Sequence, residues 1–200
     1  MAYSSWVTPN KVSGSGNDTV SWTGQAHTGR NSRSTTAKFS ASGVEDKVLT
    51  INQAGKTEFV TIDSTASVSK SGGTVTINGT SNSSKLTFSL ANNNIGLTLP
   101  SSYTAGGVSS TSGTAITGDP GATQQYSFSI TFSNIDENTT INDITSQLTV
   151  TANGGQTATC TITQAAGDAY LTISPTTIEL TAAGTAVSVT VSSNTSWTVS

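Results

Sequence analysis

Charge, sulfur and imidazole are scarce in this chain of 200 residues. Only 10% of residues are charged, Cys160 is the one cysteine, His27 the one histidine, and Arg30 and Arg33 the only arginines. A single cysteine excludes an intramolecular disulfide, and one His with one Cys cannot supply the usual zinc ligand set. Cys160 lies in the alternating run ATCTIT, where it reads as a small apolar strand residue; a free reactive thiol is the other reading. The basic residues are scattered and the net charge is −3. No basic face is available to neutralise phosphates, so nucleic acid is not an expected partner. No window approaches the roughly 18 consecutive apolar residues of a membrane-spanning helix, and no membrane association is expected. The N-terminus MAYSSWVTPNKV shows no basic region followed by an apolar one, so a soluble protein without a secretory leader is expected.

Catalytic groups are equally sparse. His27 sits in the polar loop GQAHTGR without a nucleophile elbow and reads as an exposed loop histidine. Most of the 11 acidic residues fall in turns, and nothing suggests two held across a cleft for glycoside hydrolysis. Asp136, Glu137, Asn138 and Asp143, in SNIDENTTIND, form an oxygen-rich cluster that lacks calcium-loop spacing and reads as an acidic solvated turn. No catalytic residue, metal or cofactor is assigned. The Asn-x-Ser/Thr triplets at Asn17, Asn78, Asn82, Asn138 and Asn194 are expected by chance in this composition.

Ser and Thr are abundant, about a third of all residues, and Gly numbers 19. Such a bias is compatible with disorder. The regular alternation of Val, Ile and Leu, together with the strand preference of Thr, argues instead for an all-β chain. Tyr170 to Ser200 shows this best. Leu171 and Ile173, then Ile178 and Leu180, then Val187, Val189 and Val191 alternate with polar residues between breaks at Pro175 and Ala183-Gly184. About 111 residues earlier, Phe59 to Leu86 has the same grammar, and TINQAG (50–55) returns as TITQAAG (161–167), with Gln164 and Gln53 111 positions apart.

The repeat divides the chain into three parts: residues 1–55, closing strands without opening ones; 56–167, one complete unit; and 168–200, opening strands only. Strands are expected around Val20–Trp22, Ala37–Phe39 and Val48–Ile51. In the complete unit they are expected at Phe59–Ile62, Ser67–Ser69, Thr74–Ile77, Lys85–Leu90, Tyr126–Phe132, Gln147–Val150 and Thr157–Thr163. Seven short strands separated by turns fit an immunoglobulin-like β-sandwich, so the fold class is all-β with tandem sandwich units. The glycine of each Gln-Ala-(Ala)-Gly ending is read as releasing the chain into a linker, and WTVS as mid-strand with Trp197 about to be buried. Trp22 and Tyr126 read as core.

The Gly/Ser/Thr-rich interval 91–125 is longer than a plain sandwich needs and is either a binding surface or a tolerated insertion. If it binds, the candidate ligand-binding residues are Tyr103, as an exposed aromatic for sugar stacking, with the amides of Asn92, Asn93 and Asn94. The two terminal parts leave open strand edges. Either the chain is cut there, or residues 168–200 of one copy complete residues 1–55 of another by strand addition.

The LTISP opening, the WTVS strand, Asn31 and Arg33 before the strand at Ala37, and the ending VLTINQAG resemble the BACON domain, a bacterial immunoglobulin-like module named for carbohydrate association. The likeness covers essentially the whole chain. The complete unit departs from it, with Lys85 where Trp197 would align and no Arg before its last strand. The resemblance implies a non-enzymatic bacteriophage virion structural protein, a head fibre or capsid-decorating protein that also adheres to host or mucosal glycans, located in the virion. Its implied partners are capsid or other virion proteins and further copies of itself as a homo-oligomer. The alternative is a carbohydrate-binding module or spacer of a glycan-degrading system at the bacterial surface or periplasm.

Overall fold

Alternation of β-branched and small polar residues becomes fifteen strands in the computed structural model, which describes residues 3–200 and has no helix among them. In chain order these are β1 (Val7–Pro9), β2 (Trp22–Gly24), β3 (Arg33–Phe39), β4 (Lys47–Gln53), β5 (Val60–Ile62), β6 (Thr65–Val68), β7 (Gly73–Ser81), β8 (Leu86–Ala91), β9 (Tyr103–Ala105), β10 (Val108–Ser110), β11 (Tyr126–Ile135), β12 (Ile144–Ala152), β13 (Thr157–Gln164), β14 (Leu171–Ser174) and β15 (Thr190–Ser193). All seven strands expected between residues 56 and 167 are present.

Two sheets are built from that central stretch, one in the order β10-β9-β11-β7-β5 and the other β6-β13-β12-β8. Their inward side chains share one core, as in a β-sandwich. Ile77, Ile130 and Phe132 come from the first sheet and Leu86, Leu148, Val150 and Ile162 from the second, each at most 2% exposed. Burial of each such side chain contributes about 1.5–3 kcal/mol, which sets the register because a one-residue slip would turn the whole set outward. β6 joins the edge of β13 in parallel, with Ile162 opposite Ala66 and Gln164 opposite Val68. In β11 the register shifts between Phe132 and Ile135, with Asn134 left-handed at φ 57°, a bulge that bends the strand end.

The interval 91–125 belongs to this sandwich. β9 and β10 form a hairpin on the edge of β11, and Leu97, Tyr103, Ala105, Ile116 and Ala122 are buried. It extends the sheet and the core, a role that Gly/Ser/Thr-rich composition conceals because its apolar residues are too widely spaced to show a period.

On either side lie two-stranded sheets, β1-β2 and β3-β4 before the sandwich, β14-β15 after it. They reproduce halves of it. β3 pairs with β4 with Arg33 opposite Gln53 and Ala37 opposite Leu49. β12 pairs with β13 with Ile144 opposite Gln164 and Leu148 opposite Cys160, each residue 111 positions further on. β14 and β15 set Leu171 against Ser193, as β5 and β7 set Val60 against Ser81. The offset is 111 before Pro175 (Leu171 from Val60) and 112 after it (Ser193 from Ser81), one extra residue having entered at the turn.

Several expectations about the C-terminal segment are corrected. Ile178, Leu180, Val187 and Val189 lie outside any strand, and the run WTVS is not a strand. Trp197 is 49% exposed rather than buried. Among the described residues no strand pairs with residues 175–189.

Candidate functional site

The expected sugar platform is not formed as proposed. Tyr103 opens β9, is 4% exposed, and packs its ring on Phe88 at 4.8 Å between centroids. It is a core residue, and its phenol is pushed above the ordinary range by burial. Its burial follows from the place of β9 on the edge of β11, which a strand of three residues does not signal in the sequence. The three asparagines have separate tasks. Asn92 sits at φ 47° in the left-handed region, which Asn tolerates better than most residues. Asn93 accepts from the Leu97 amide at 2.9 Å and from the Ser146 hydroxyl at 2.8 Å, and donates to the Leu97 carbonyl. The amide of Asn94 donates to the Thr145 carbonyl. Asn93 and Asn94 pin the loop after β8 to β12; all three asparagines remain exposed.

Partly exposed aromatics are found instead in the N-terminal segment. Tyr3 meets Trp22 edge-on at 5.1 Å and Trp22 meets Phe39 at 6.5 Å. They border an open cleft of about 520 Å³, with the Lys11–Asp18 ion pair and Ala37 also lining it. Trp22, expected as core, is only half-buried, because no second sheet closes over it. Nearby, the Arg33 guanidinium lies 4.5 Å over the Trp6 ring. Such a face offers stacking area with polar groups at its rim, the chemistry that grips a pyranose ring or a partner's side chains.

The densest polar cluster joins the N-terminal segment to the sandwich. Arg30 forks onto Asp119 at 2.6 and 2.7 Å, contacts Glu58 at 3.0 Å, and donates to the Asn82 carbonyl. Glu58 is only 5% exposed; its carboxylate also accepts from the Ser83 hydroxyl at 2.9 Å and the Gly154 amide at 2.5 Å. The fork raises the Arg30 pKa and holds Asp119 below the ordinary carboxylate range, partial burial opposing it at both groups. With Glu58 buried and Arg30 and Asp119 partly open to solvent, the cluster ties the joint through charge-assisted hydrogen bonds. A cleft of about 370 Å³ beside it is lined by Arg30, Lys56, Glu58 and Gln156 among others. Sequence reading missed the cluster, because Arg30 and Asp119 are 89 residues apart and the pairing is made only by the fold.

Asn82 beneath Arg30 is a clip. Its side chain accepts from the Phe59 amide at 2.7 Å and donates to the Thr57 carbonyl at 3.1 Å, while the Ser81 hydroxyl donates to the Phe59 carbonyl. The same set recurs at the far end. Asn194 accepts from the Tyr170 amide at 3.0 Å and donates to the Asp168 carbonyl at 2.9 Å, and the Ser193 hydroxyl donates to the Tyr170 carbonyl. Each clip receives the loop of the preceding segment, Arg30 on the Asn82 carbonyl and the Thr139 carbonyl on the Asn194 amide.

The Gln-Ala-(Ala)-Gly endings are staples of the same kind. Gln53 donates to the Gln25 carbonyl at 2.9 Å and Gln164 to the Asp136 carbonyl at 2.7 Å, again 111 residues on. The final glycine does not release the chain. At Gly55 a Cβ would lie 1.9 Å from the Arg30 carbonyl oxygen, and at Gly167 2.2 Å from that of Asn138, so only glycine fits these close approaches. Asn138, in the expected acidic turn, is 2% exposed and donates to the Asn142 and Ala165 carbonyls. His27 occupies the matching place, its Nε2 2.6 Å from the Asn31 carbonyl oxygen. Cys160 is fully buried, and burial pushes its thiol up to about 11.

No family model matches the chain, and no curated protein matches it.

Proposed function

We propose that the chain is a non-enzymatic structural protein of tandem immunoglobulin-like units, of the head-fibre or capsid-decorating kind that its BACON resemblance implies. Residues 1–55 and 168–200 then belong to units flanking the complete unit 56–167. The observation that carries this reading is the repeated joint: at each boundary a serine–asparagine clip holds the incoming chain and receives the loop of the segment before it. A joint used twice sets a defined relation between successive units, which suits an arm projecting from a surface. The polar side chains best placed for chemistry, Glu58, Asn82, Asn138 and Gln164, are engaged in holding loops and strands.

The carbohydrate-binding alternative has one observation in its favour, the Tyr3–Trp22–Phe39 face. One experiment separates the two. Antibody to the protein is applied to purified phage particles from producing cultures, and the isolated protein to a broad polysaccharide array. The expected result is a fixed number of copies per particle. Absence from particles, with polysaccharide binding that Trp22→Ala removes, would overturn the virion reading in favour of the alternative.

A further inference from the structure

The terminal hairpins are complementary halves of one sandwich. On the N-terminal side, Ala37, Phe39, Leu49 and Ile51 occupy the positions that Leu148, Val150, Cys160 and Ile162 hold in the central core. Those four central residues are 0% exposed, whereas Phe39 is 44% and Leu49 38% exposed and Ile51 is half-buried; Ala37 alone is covered, at 3%. On the C-terminal side, Leu171, Ile178, Leu180, Val187 and Val189 match Val60, Ala66, Val68, Val75 and Ile77. The central valines and Ile77 are at most 7% exposed, but the C-terminal five are 38–64% exposed. Both segments thus carry apolar side chains that lack the cover their counterparts have in the central sandwich.

The edges match as well as the faces. β4 pairs only with β3, so its outer edge is free, and residues 176–180 run without a strand partner. In the sandwich the corresponding edge of β13 is filled by β6 in parallel.

We infer that residues 168–200 of one copy complete the N-terminal half-sandwich of a second copy, in the register of β6 on β13. That register sets Ile178 opposite Ile51, Glu179 opposite Asn52 and Leu180 opposite Gln53. The inference rests on reading the terminal segments as parts of further units, but not on where the assembly is mounted. The interface is heterologous, so repetition gives a ring if the rotation closes and a filament if it does not. It also covers the Tyr3–Trp22–Phe39 face.

The test uses the full chain. Single variants Asn52→Cys and Glu179→Cys are oxidised separately and as an equimolar mixture; Cys160, buried in the core, does not compete. The mixture is expected to give a disulfide-linked dimer containing one chain of each, and the double variant a ladder of multimers. Light scattering of the wild type should show mass rising with concentration. Leu180→Asp, on a side chain 64% exposed in the single chain, should abolish both assembly and cross-link while Cys160 remains unreactive, which shows the sandwich intact. A monomer at all concentrations, or an internal disulfide in a monomeric double variant, overturns the inference and leaves the virion reading to its own test. An assembling protein that is absent from particles does the reverse.

Discussion

Asn82 and Arg30 show how single side chains carry the architecture. An exposed asparagine in a Ser/Thr-rich run would be unremarked, yet Asn82 is 3% exposed and ties the start of the sandwich to the connection between β7 and β8. Asn138 and Asn194 play related parts, so three of the five asparagines in apparent glycosylation triplets are loop clips. Arg30 gives the joint its pH response. The folded-state pKa of Asp119 is depressed, so its contribution is present above the unfolded value of about 3.9 and is lost only as pH falls through the lower folded value. The joint is therefore expected to persist through pH 5 and to loosen below about 4. Followed by slowed exchange of the Arg30 guanidinium protons in NMR, that protection should vanish at much lower pH than for an ordinary carboxylate partner. Asp119→Asn should weaken the joint by about 1–2 kcal/mol at neutral pH, a charge-assisted fork being exchanged for neutral bonds. Loosening already near pH 6 would show that Asp119 does not hold it.

At the scale of elements, the same strand pair has different consequences in different places. β5-β7 and β14-β15 share register and clip, but β7 is covered by β11 and the opposing sheet, whereas β15 pairs with β14 alone. Ile77→Ala should therefore destabilise the sandwich by about 2–5 kcal/mol, since the site is fully buried. Val189→Ala, at the matching place, should cost less than about 0.5 kcal/mol in the unassembled chain. Urea unfolding of both variants at low protein concentration checks this; equal losses would mean that β15 already has a covered core. The interval 91–125 makes a related point. Its hairpin β9-β10 was invisible as a strand pattern because each strand is three residues long, and its packing depends on an edge of β11 that only the folded sheet presents.

For the whole molecule, the central sandwich has a closed core while the terminal hairpins leave apolar side chains exposed, so stability is distributed unevenly along the chain. In the dilute protein, slow amide exchange should be confined to β7, β11, β12 and β13, while β3, β4, β14 and β15 exchange early through local opening. On assembly the amides of β4 and of residues 176–180 should become protected together, because they form one ladder. Hydrogen exchange at two protein concentrations reads this directly; uniform protection at both would show that the terminal hairpins are stable alone.

The sequence by itself determined that the chain is all-β, where seven of the nine strands of the central stretch lie, and that its beginning and end repeat parts of its middle. Alternation and repeat spacing are local properties of the chain, and each of the seven central strands carries its own apolar side. The Gln-Ala-(Ala)-Gly endings were visible as repeats, but their physical reason, an amide staple and a glycine pressed against a neighbouring carbonyl, is not local. Only the tertiary structure decided that Tyr103 is core, that Trp197 is uncovered, and that Arg30, Glu58, Asn82 and Asp119 meet at one joint. Burial and pairing depend on what the rest of the chain places opposite a residue, which no local pattern records.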